Sequence, residues 1–150
     1  MKSSEPDFWC FLNRIDFVNL LALKRCVFIN TWQTTWAVNK YWFMSRSQAL
    51  YNRGRLLAKD NEWNADKEQE FTRLVTIADD LVPTKATLTT AYQHVWGYFK
   101  KICTQGEKAT YVRLLATLTP EHDDLGQFLK RLVIKYQVDY LLQSRLIQEI

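Results

Sequence analysis

Hydrophobic and polar positions follow a helical spacing along most of the chain, and the clearest stretch is Thr84–Cys103. Apolar side chains recur there every three or four residues and form one face, made by Leu88, Tyr92, Val95, Trp96, Phe99, Ile102 and Cys103. The other face carries Thr90, Gln93, His94, Gly97, Tyr98, Lys100 and Lys101. We therefore predict a central helix over this range, with one face in the core and polar groups gathered on the other.

Gly97 interrupts the polar face of this predicted helix. A glycine inside a helix costs about 1 kcal/mol relative to alanine, so it needs a compensating reason. Because glycine has no side chain, Gly97 predicts that another backbone or a ligand approaches the helix closely at this point.

The same periodicity continues on both sides of the central helix. The pattern predicts an all-α fold, a single compact bundle of about six or seven helices around the central helix near residues 84–103. Besides the central helix, six more are predicted. The first begins at Thr31, and the next two cover Gln48–Lys59 and Ala65–Val82. Two further helices begin at Thr104 and Thr119 and end at Leu118 and at about Tyr136, and the last covers Asp139–Ile147. The helix from Thr31 is apolar around most of its circumference, so we expect it to be buried in the bundle.

Start signals precede most of these helices. Ser47 and Asn64 are predicted N-caps. Thr104 with Glu107 matches a capping box, in which each side chain accepts a hydrogen bond from the other's backbone. Thr119–Pro120 matches an N-cap followed by proline at the first helical position, so it predicts another helix start.

Residues 1–30 do not share this pattern. They are apolar without a clean period, so they fit either an extra helix packed on the domain or an extension that the domain does not need. The predicted domain organisation is an N-terminal extension over residues 1–30 and a helical domain over residues 31–150.

Composition agrees with one globular helical domain. The chain has 150 residues, 47% of them hydrophobic, and only 4 glycines and 3 prolines, which leaves few turn formers. Three widely spaced cysteines (Cys10, Cys26 and Cys103) without a CxxC pair do not predict disulfides, zinc or an iron–sulfur cluster, so we expect no cofactor and no metal. The apolar run over residues 17–29 is broken by Asn19, Lys24 and Arg25, so we expect a cytoplasmic protein without a membrane span.

Basic and aromatic residues alternate in two places. The formal charge of +4 permits a polyanionic partner without requiring one. Lys40, Arg46, Arg53 and Arg55 lie among aromatic residues, and Lys100 and Lys101 follow Tyr98. Cations can pair with phosphates while exposed rings stack on unpaired bases, which suits an RNA surface. The other interpretation is that the rings are core and the cations only solubilise the protein.

Catalytic chemistry has little support. The chain holds only two histidines, His94 and His122, and no paired metal-ligand spacing. His94 is either a helical histidine bonded to a neighbour or a functional group, and an independent enzyme using His94 is the third function that we consider. We expect no catalysis by this chain alone.

One block carries a family resemblance. The segment YQHVWGYFKK and the closing KYQVDYLLQSRL resemble the YbgA-like domain, whose signature places Gln93, His94, Gly97, Tyr98, Phe99 and Lys100 in one motif and Tyr140, Leu141 and Gln143 in another. Lys40 and Ser47 match a third family block, in which Arg46 stands where the family has a histidine. The resemblance covers roughly residues 31–147.

The resemblance implies a bacterial helical domain that also occurs fused to iron–sulfur desulfidases acting on thiolated uracil or thiouridine. It therefore predicts an RNA-binding (tRNA-type) accessory module, working with a separate desulfidase or other enzyme, without DNA specificity. The alternative is a protein–protein interaction module of unknown partner. The candidate RNA-binding residues are Lys40, Arg46, Arg53, Arg55, Gln93, His94, Tyr98, Lys100, Lys101 and Gln143.

Overall fold

The fold is all-α, as predicted, with eight helices and no strand in the part described by this computed structural model, residues 31–150. The predictions made for residues 1–30 concern a part of the chain outside the described residues. In chain order the helices are α1 Thr31–Arg46, α2 Gln48–Ala58, α3 Ala65–Asp80, α4 Lys85–Trp96, α5 Gln105–Thr117, α6 Asp124–Lys135, α7 Asp139–Leu142 and α8 Arg145–Glu149. None of these helices combines the length and apolar character needed to cross a bilayer.

Side-chain caps form at the starts of α2, α3 and α5, as predicted. Ser47 Oγ accepts a hydrogen bond from the Leu50 N–H at 3.4 Å, and Asn64 Oδ1 accepts one from the Lys67 N–H at 2.9 Å. These side chains satisfy backbone donors that a helix start leaves without an intrahelical partner.

The predicted capping box at α5 also ties two helices together. Glu107 accepts hydrogen bonds from the Thr104 N–H at 2.8 Å, from Lys135 Nζ at 2.6 Å and from Tyr136 Oη at 2.7 Å. These donors, Lys135 first, lower the pKa of the Glu107 carboxyl to about 2. The start of α5 is thereby fixed to the end of α6.

The predicted helix start at Thr119–Pro120 is wrong. Thr119 and His122 instead pair through their backbones in a tight turn, with the His122 N–H donating to the Thr119 carbonyl at 3.2 Å. Helix α6 begins at Asp124 because Asp123 Oδ1 accepts the Gly126 N–H at 2.8 Å and acts as the N-cap.

The core is built mainly by α1, α4 and α6, and α6 packs closely against α4, α5 and α7. The largest fully buried side chains of the core include Trp42, Phe43, Tyr92, Phe99, Leu125 and Leu129. The predicted burial of Val95 and Phe99 is confirmed, and Trp96 is half-buried with its ring stacked 4.0 Å from the ring of Tyr111.

The central helix is shorter than predicted. Helix α4 ends at Trp96, and residues 97–103 form tighter turns in which the N–H groups of Tyr98 and Phe99 bond to carbonyls three residues back. This change of winding rotates the following side chains away from their helical positions. Ile102, predicted to be in the core, is consequently 54% exposed.

Gly126 allows α4 and α6 to approach each other. Tyr92 Oη donates a hydrogen bond to Asp123 Oδ2 at this contact. A Cβ atom at position 126 would lie 2.5 Å from Tyr92 Oη, well inside van der Waals contact. A larger residue here would therefore have to displace the Tyr92 hydroxyl or the Asp123 carboxylate.

Candidate nucleic-acid interface

Five side chains from separate parts of the chain meet at one place, which we call the ring cluster. Lys40 and Tyr41 come from α1, His94 from the last turn of α4, Tyr98 from the turn that follows it, and Tyr140 from α7. The predicted residues Lys40, His94 and Tyr98 are thus brought together.

The ammonium of Lys40 lies against two tyrosine rings. Its Nζ is 4.7 Å from the centroid of the Tyr41 ring and 4.9 Å from that of Tyr140. The electron-rich faces of aromatic rings attract cations. Within residues 31–150, no carboxylate lies within ion-pair distance of Lys40, so its charge is not neutralised by an acid there.

The rings of the cluster form a partly open stack. Tyr98 and Tyr140 are nearly parallel, with ring centroids 6.0 Å apart and 15° between their planes, and each residue is 38% exposed. Tyr41 lies beneath them, almost perpendicular to Tyr98 at 6.5 Å, and its hydroxyl shares a 3.1 Å hydrogen bond with that of Tyr98. Aromatic surface is therefore accessible next to the Lys40 cation.

Burial controls the chemistry of the Tyr41 phenol. Desolvation is the first cause that raises the pKa of Tyr41 above its ordinary value of about 10, and the hydrogen bond with Tyr98 is the second. Tyr41 is therefore a neutral hydrogen-bonding group at physiological pH. The Tyr41 phenol therefore does not cancel the charge of Lys40.

Of the polar face predicted from the sequence, His94 and Tyr98 contact the ring cluster, whereas no contact within residues 31–150 places Gln93, Lys100 or Lys101 in it. Gln93, His94, Lys100 and Lys101 are all exposed. Gly97 is also exposed, and a Cβ atom added there would meet only backbone carbonyl oxygens of its own helix, that of His94 at 3.1 Å and that of Gln93 at 3.9 Å. No side chain among the described residues fills the space that Gly97 leaves open.

Arg46 lies apart from Lys40, although both belong to α1. Six residues on an α-helix correspond to a rise of about 9 Å and a rotation of about 240°, so the two side chains leave on different sides. Arg46 Nη1 donates to the Leu81 carbonyl at 2.8 Å, and Nη2 lies 3.6 Å from Glu149 Oε2.

Arg46 belongs instead to a second group, which we call the Trp42 cluster, formed by Trp42, Arg46, Asp79, Arg145 and Glu149. The guanidinium of Arg145 lies 3.5 Å from the centroid of the fully buried Trp42 ring. Its Nη2 donates to Asp79 Oδ1 at 2.8 Å and its Nε to Glu149 Oε1 at 2.6 Å. Trp42 Nε1 donates to the other oxygen of Glu149 at 2.9 Å.

The remaining predicted cations and Gln143 have other positions. Arg53 forms an ion pair with Glu70 at 2.6 Å, and Glu70 also holds Arg73 at 2.9 Å. The hydrogen bond from Arg73 is the first cause that lowers the pKa of Glu70. Arg55 is exposed on α2, and Gln143 is exposed directly after α7. No contact places these residues in the ring cluster.

Sequence reasoning missed two members of the cluster. Neither Tyr41 nor Tyr140 is among the candidate RNA-binding residues, and Tyr41 is buried at 6% exposure while Tyr140 is exposed. One signal was available for Tyr140, because it lies in the closing motif of the family resemblance, from which only Gln143 was selected. For Tyr41 the signal is its position next to Lys40.

Metal ligation was considered for the same surface. Among the described residues, no three histidine, cysteine, aspartate or glutamate side chains are placed to hold a metal ion. Cys103 is a half-buried free thiol.

Comparison with known protein families identifies one family to which most of the chain is similar. Residues 40–150 match the family described as "Protein of unknown function (DUF1722)", which is the YbgA-like family. The chain belongs to this family. The match begins at Lys40 and includes every member of the ring cluster and of the Trp42 cluster. No curated protein and no solved structure matches the chain.

Proposed function

We propose that this YbgA-like domain is an RNA-binding accessory module that takes up an unpaired nucleotide, of the kind found in transfer RNA, at the ring cluster. The observation that carries the proposal is the Lys40 ammonium between two tyrosine faces, beside the accessible Tyr98–Tyr140 stack. Recognition of an unpaired nucleotide needs this combination, because a cation pairs with the phosphate and a ring stacks on the base.

The number of available cations limits the electrostatic part of the affinity. Arg46 and Arg53 already pair with carboxylates, whereas Lys40, Lys100 and Lys101 form no ion pair within residues 31–150. Three phosphate contacts to a single strand give a slope of log affinity against log salt of about −2. We therefore expect weak salt dependence for a nucleic-acid-binding protein.

In this proposal the exposed polar side chains of Gln93 and His94 discriminate between bases. The amide of Gln93 and the imidazole of His94 can both donate and accept hydrogen bonds, as the edges of unpaired bases require. The open space beside Gly97 supports close approach of a ligand to the backbone.

The wider setting of the proposal rests on the family resemblance. It comprises an association with thiouridine metabolism, a separate desulfidase or other enzyme as partner, and the bacterial cytoplasm as location. In this proposal the chain supplies recognition, and the partner enzyme supplies catalysis.

The test is a fluorescence-anisotropy titration with total transfer RNA, with and without thiouridine, across a salt series. Lys101→Ala should weaken binding to both RNAs alike and reduce the salt slope by about one unit or less. His94→Ala should reduce discrimination between the RNAs and leave the slope nearly unchanged. Arg53→Ala is the matched control and should bind like the parent, because Glu70 already pairs with that arginine.

Absence of binding at low salt, or parental binding by both Lys101→Ala and His94→Ala, would refute the proposal. The second candidate, a protein–protein interaction module, would then be preferred. One observation favours it, namely the exposed apolar side chains at the end of α3, where Ile77, Leu81 and Val82 are 38%, 37% and 78% exposed.

A further inference from the structure

The ring cluster and the Trp42 cluster share two pieces of chain, helix α1 and the C-terminal segment from Tyr140 to Glu149. Helix α1 supplies Lys40 and Tyr41 to one and Trp42 to the other. The C-terminal segment supplies Tyr140 to the ring cluster and Arg145 to the Trp42 cluster, five residues further on. A shift of this segment on α1 would therefore change both.

Tyr140 is held only lightly by its own contacts. Its hydroxyl donates to the Ala37 carbonyl at 3.4 Å, at the long end of the hydrogen-bond range. Tyr140 is 38% exposed, and its ring contacts Lys40, which is half-buried, and Tyr98, which is itself 38% exposed. The position of Tyr140 must therefore depend on how the chain around it is anchored.

Arg145 is held on three sides. One face of its guanidinium lies on the Trp42 ring, and its edges donate to Asp79 on α3 and to Glu149 on α8. The side chain is only 20% exposed. Between Tyr140 and Arg145, the side chains of Leu141 and Ser144 are fully buried, so the connecting chain is packed and can transmit the anchoring.

We infer that Arg145 is a positioning residue for the ring cluster: by anchoring the C-terminal segment to α1 and α3, it keeps Tyr140 over Lys40 and stacked on Tyr98. The inference about ring geometry stands on the contacts above. Its consequence for RNA rests on the proposed function.

The three contacts also explain why this position requires arginine. A guanidinium is planar, so it can stack on indole while its edges hold two carboxylates. A lysine ammonium keeps the charge but cannot make this set of contacts together. Arg145→Lys should therefore behave more like Arg145→Ala than like the parent.

The ring geometry can be measured directly in the full chain by NMR. The Nζ atom of Lys40 lies over two aromatic rings, so ring currents should shift the resonance of the adjoining ε-methylene protons upfield. Arg145→Ala should lose a substantial part of this shift, as should Tyr140→Ala. Arg113→Ala, at an exposed arginine of α5 without an ion pair in residues 31–150, is the matched control and should keep the shift.

A milder variant guards against loss of folding in Arg145→Ala. Asp79→Asn removes the charge of one Arg145 partner with little change of shape and should produce a smaller movement of the Lys40 resonance in the same direction. Asp80→Asn, at the exposed neighbouring acid, should leave the resonance in place. An unchanged Lys40 resonance in Asp79→Asn and in folded Arg145→Ala would overturn the inference.

RNA binding then separates this inference from the proposed function. If both hold, Arg145→Ala should lower RNA affinity by about the same factor as Tyr140→Ala, and the double variant should bind no more weakly than Tyr140→Ala alone, because both act through one ring. A displaced Lys40 resonance in a protein that never bound RNA would support the positioning role and refute the proposed function.

Discussion

The ring cluster and the Trp42 cluster both hold a cation against an aromatic ring, yet they have opposite surroundings. In the Trp42 cluster the indole ring is fully buried and Arg145 is paired with two carboxylates. In the ring cluster Lys40 has no acidic partner in the described part of the chain, and the Tyr140 ring is 38% exposed. The two clusters therefore differ in whether carboxylates neutralise the cation and in whether solvent reaches the aromatic ring.

This difference separates a cation that is neutralised within the fold from one that has no acidic partner in residues 31–150. A charge surrounded by acids and buried ring surface contributes to folding, and a phosphate would have to compete with carboxylates for it. A charge that lies against aromatic rings without an acidic partner keeps its attraction for anions. The neighbours of a basic residue, more than its type, decide its role.

Trp42→Ala should produce the largest effect and confirm that the Trp42 cluster is structural. The variant removes a fully buried indole and the surface on which Arg145 lies, so unfolding free energy should fall by about 3–5 kcal/mol. Denaturant unfolding measures this loss. Trp63→Ala, at a tryptophan that is 38% exposed, is the control and should lose much less; equal losses would contradict the assignment.

Alkaline pH should destabilise the protein partly through Tyr41. Its folded-state pKa is raised above the unfolded value of about 10, so its contribution is complete below pH 10 and is lost as the pH rises further. Tyr41→Phe should therefore make the fall in unfolding free energy above about pH 10 less steep. Part of the fall should remain, because burial and the bond to Asp123 also raise the pKa of Tyr92. An identical alkaline profile in the parent and Tyr41→Phe would contradict this account.

A pair of buried serines should give the smallest effect, with opposite signs. Ser144 Oγ has no hydrogen-bond partner within residues 31–150, so Ser144→Ala should raise unfolding free energy by about 1 kcal/mol or less. Ser45 Oγ donates to the Trp42 carbonyl at 2.7 Å, so Ser45→Ala should lower it by about 1 kcal/mol. Thermal melts measure both changes, and the same sign in the two variants would show that burial alone determines the outcome.

Most of the fold could be predicted because its signals are local. The caps at Ser47, Asn64 and Thr104 act over three residues, and the apolar stripe of α6 has a regular period. The error at Thr119 has a local cause too. Thr119 Oγ1 accepts the His122 N–H at 3.2 Å, a bond to the third following residue that an N-cap also makes, but here it closes a turn.

The candidate site was only partly predictable because its contacts are distant in sequence. His94 and Tyr98 share a motif and lie four residues apart, so the sequence already joins them. Tyr140 reaches Lys40 only through the tertiary fold. Arg46 and Lys40 look equivalent in the sequence, and their different roles depend on Glu149, a residue at the far end of the chain.

We propose that Lys40 is held for a ligand while the neighbouring Trp42 cluster is held for stability. Lys40→Met, measured for both folding and RNA binding, tests this contrast most directly. Unfolding free energy should change by about 1 kcal/mol or less, because a cation–π contact of a side chain that is not fully desolvated contributes little. Affinity for transfer RNA should fall several-fold at low salt, with a salt slope reduced by about one unit or less. A variant that loses stability as Trp42→Ala does, and still binds RNA like the parent, would contradict the claim.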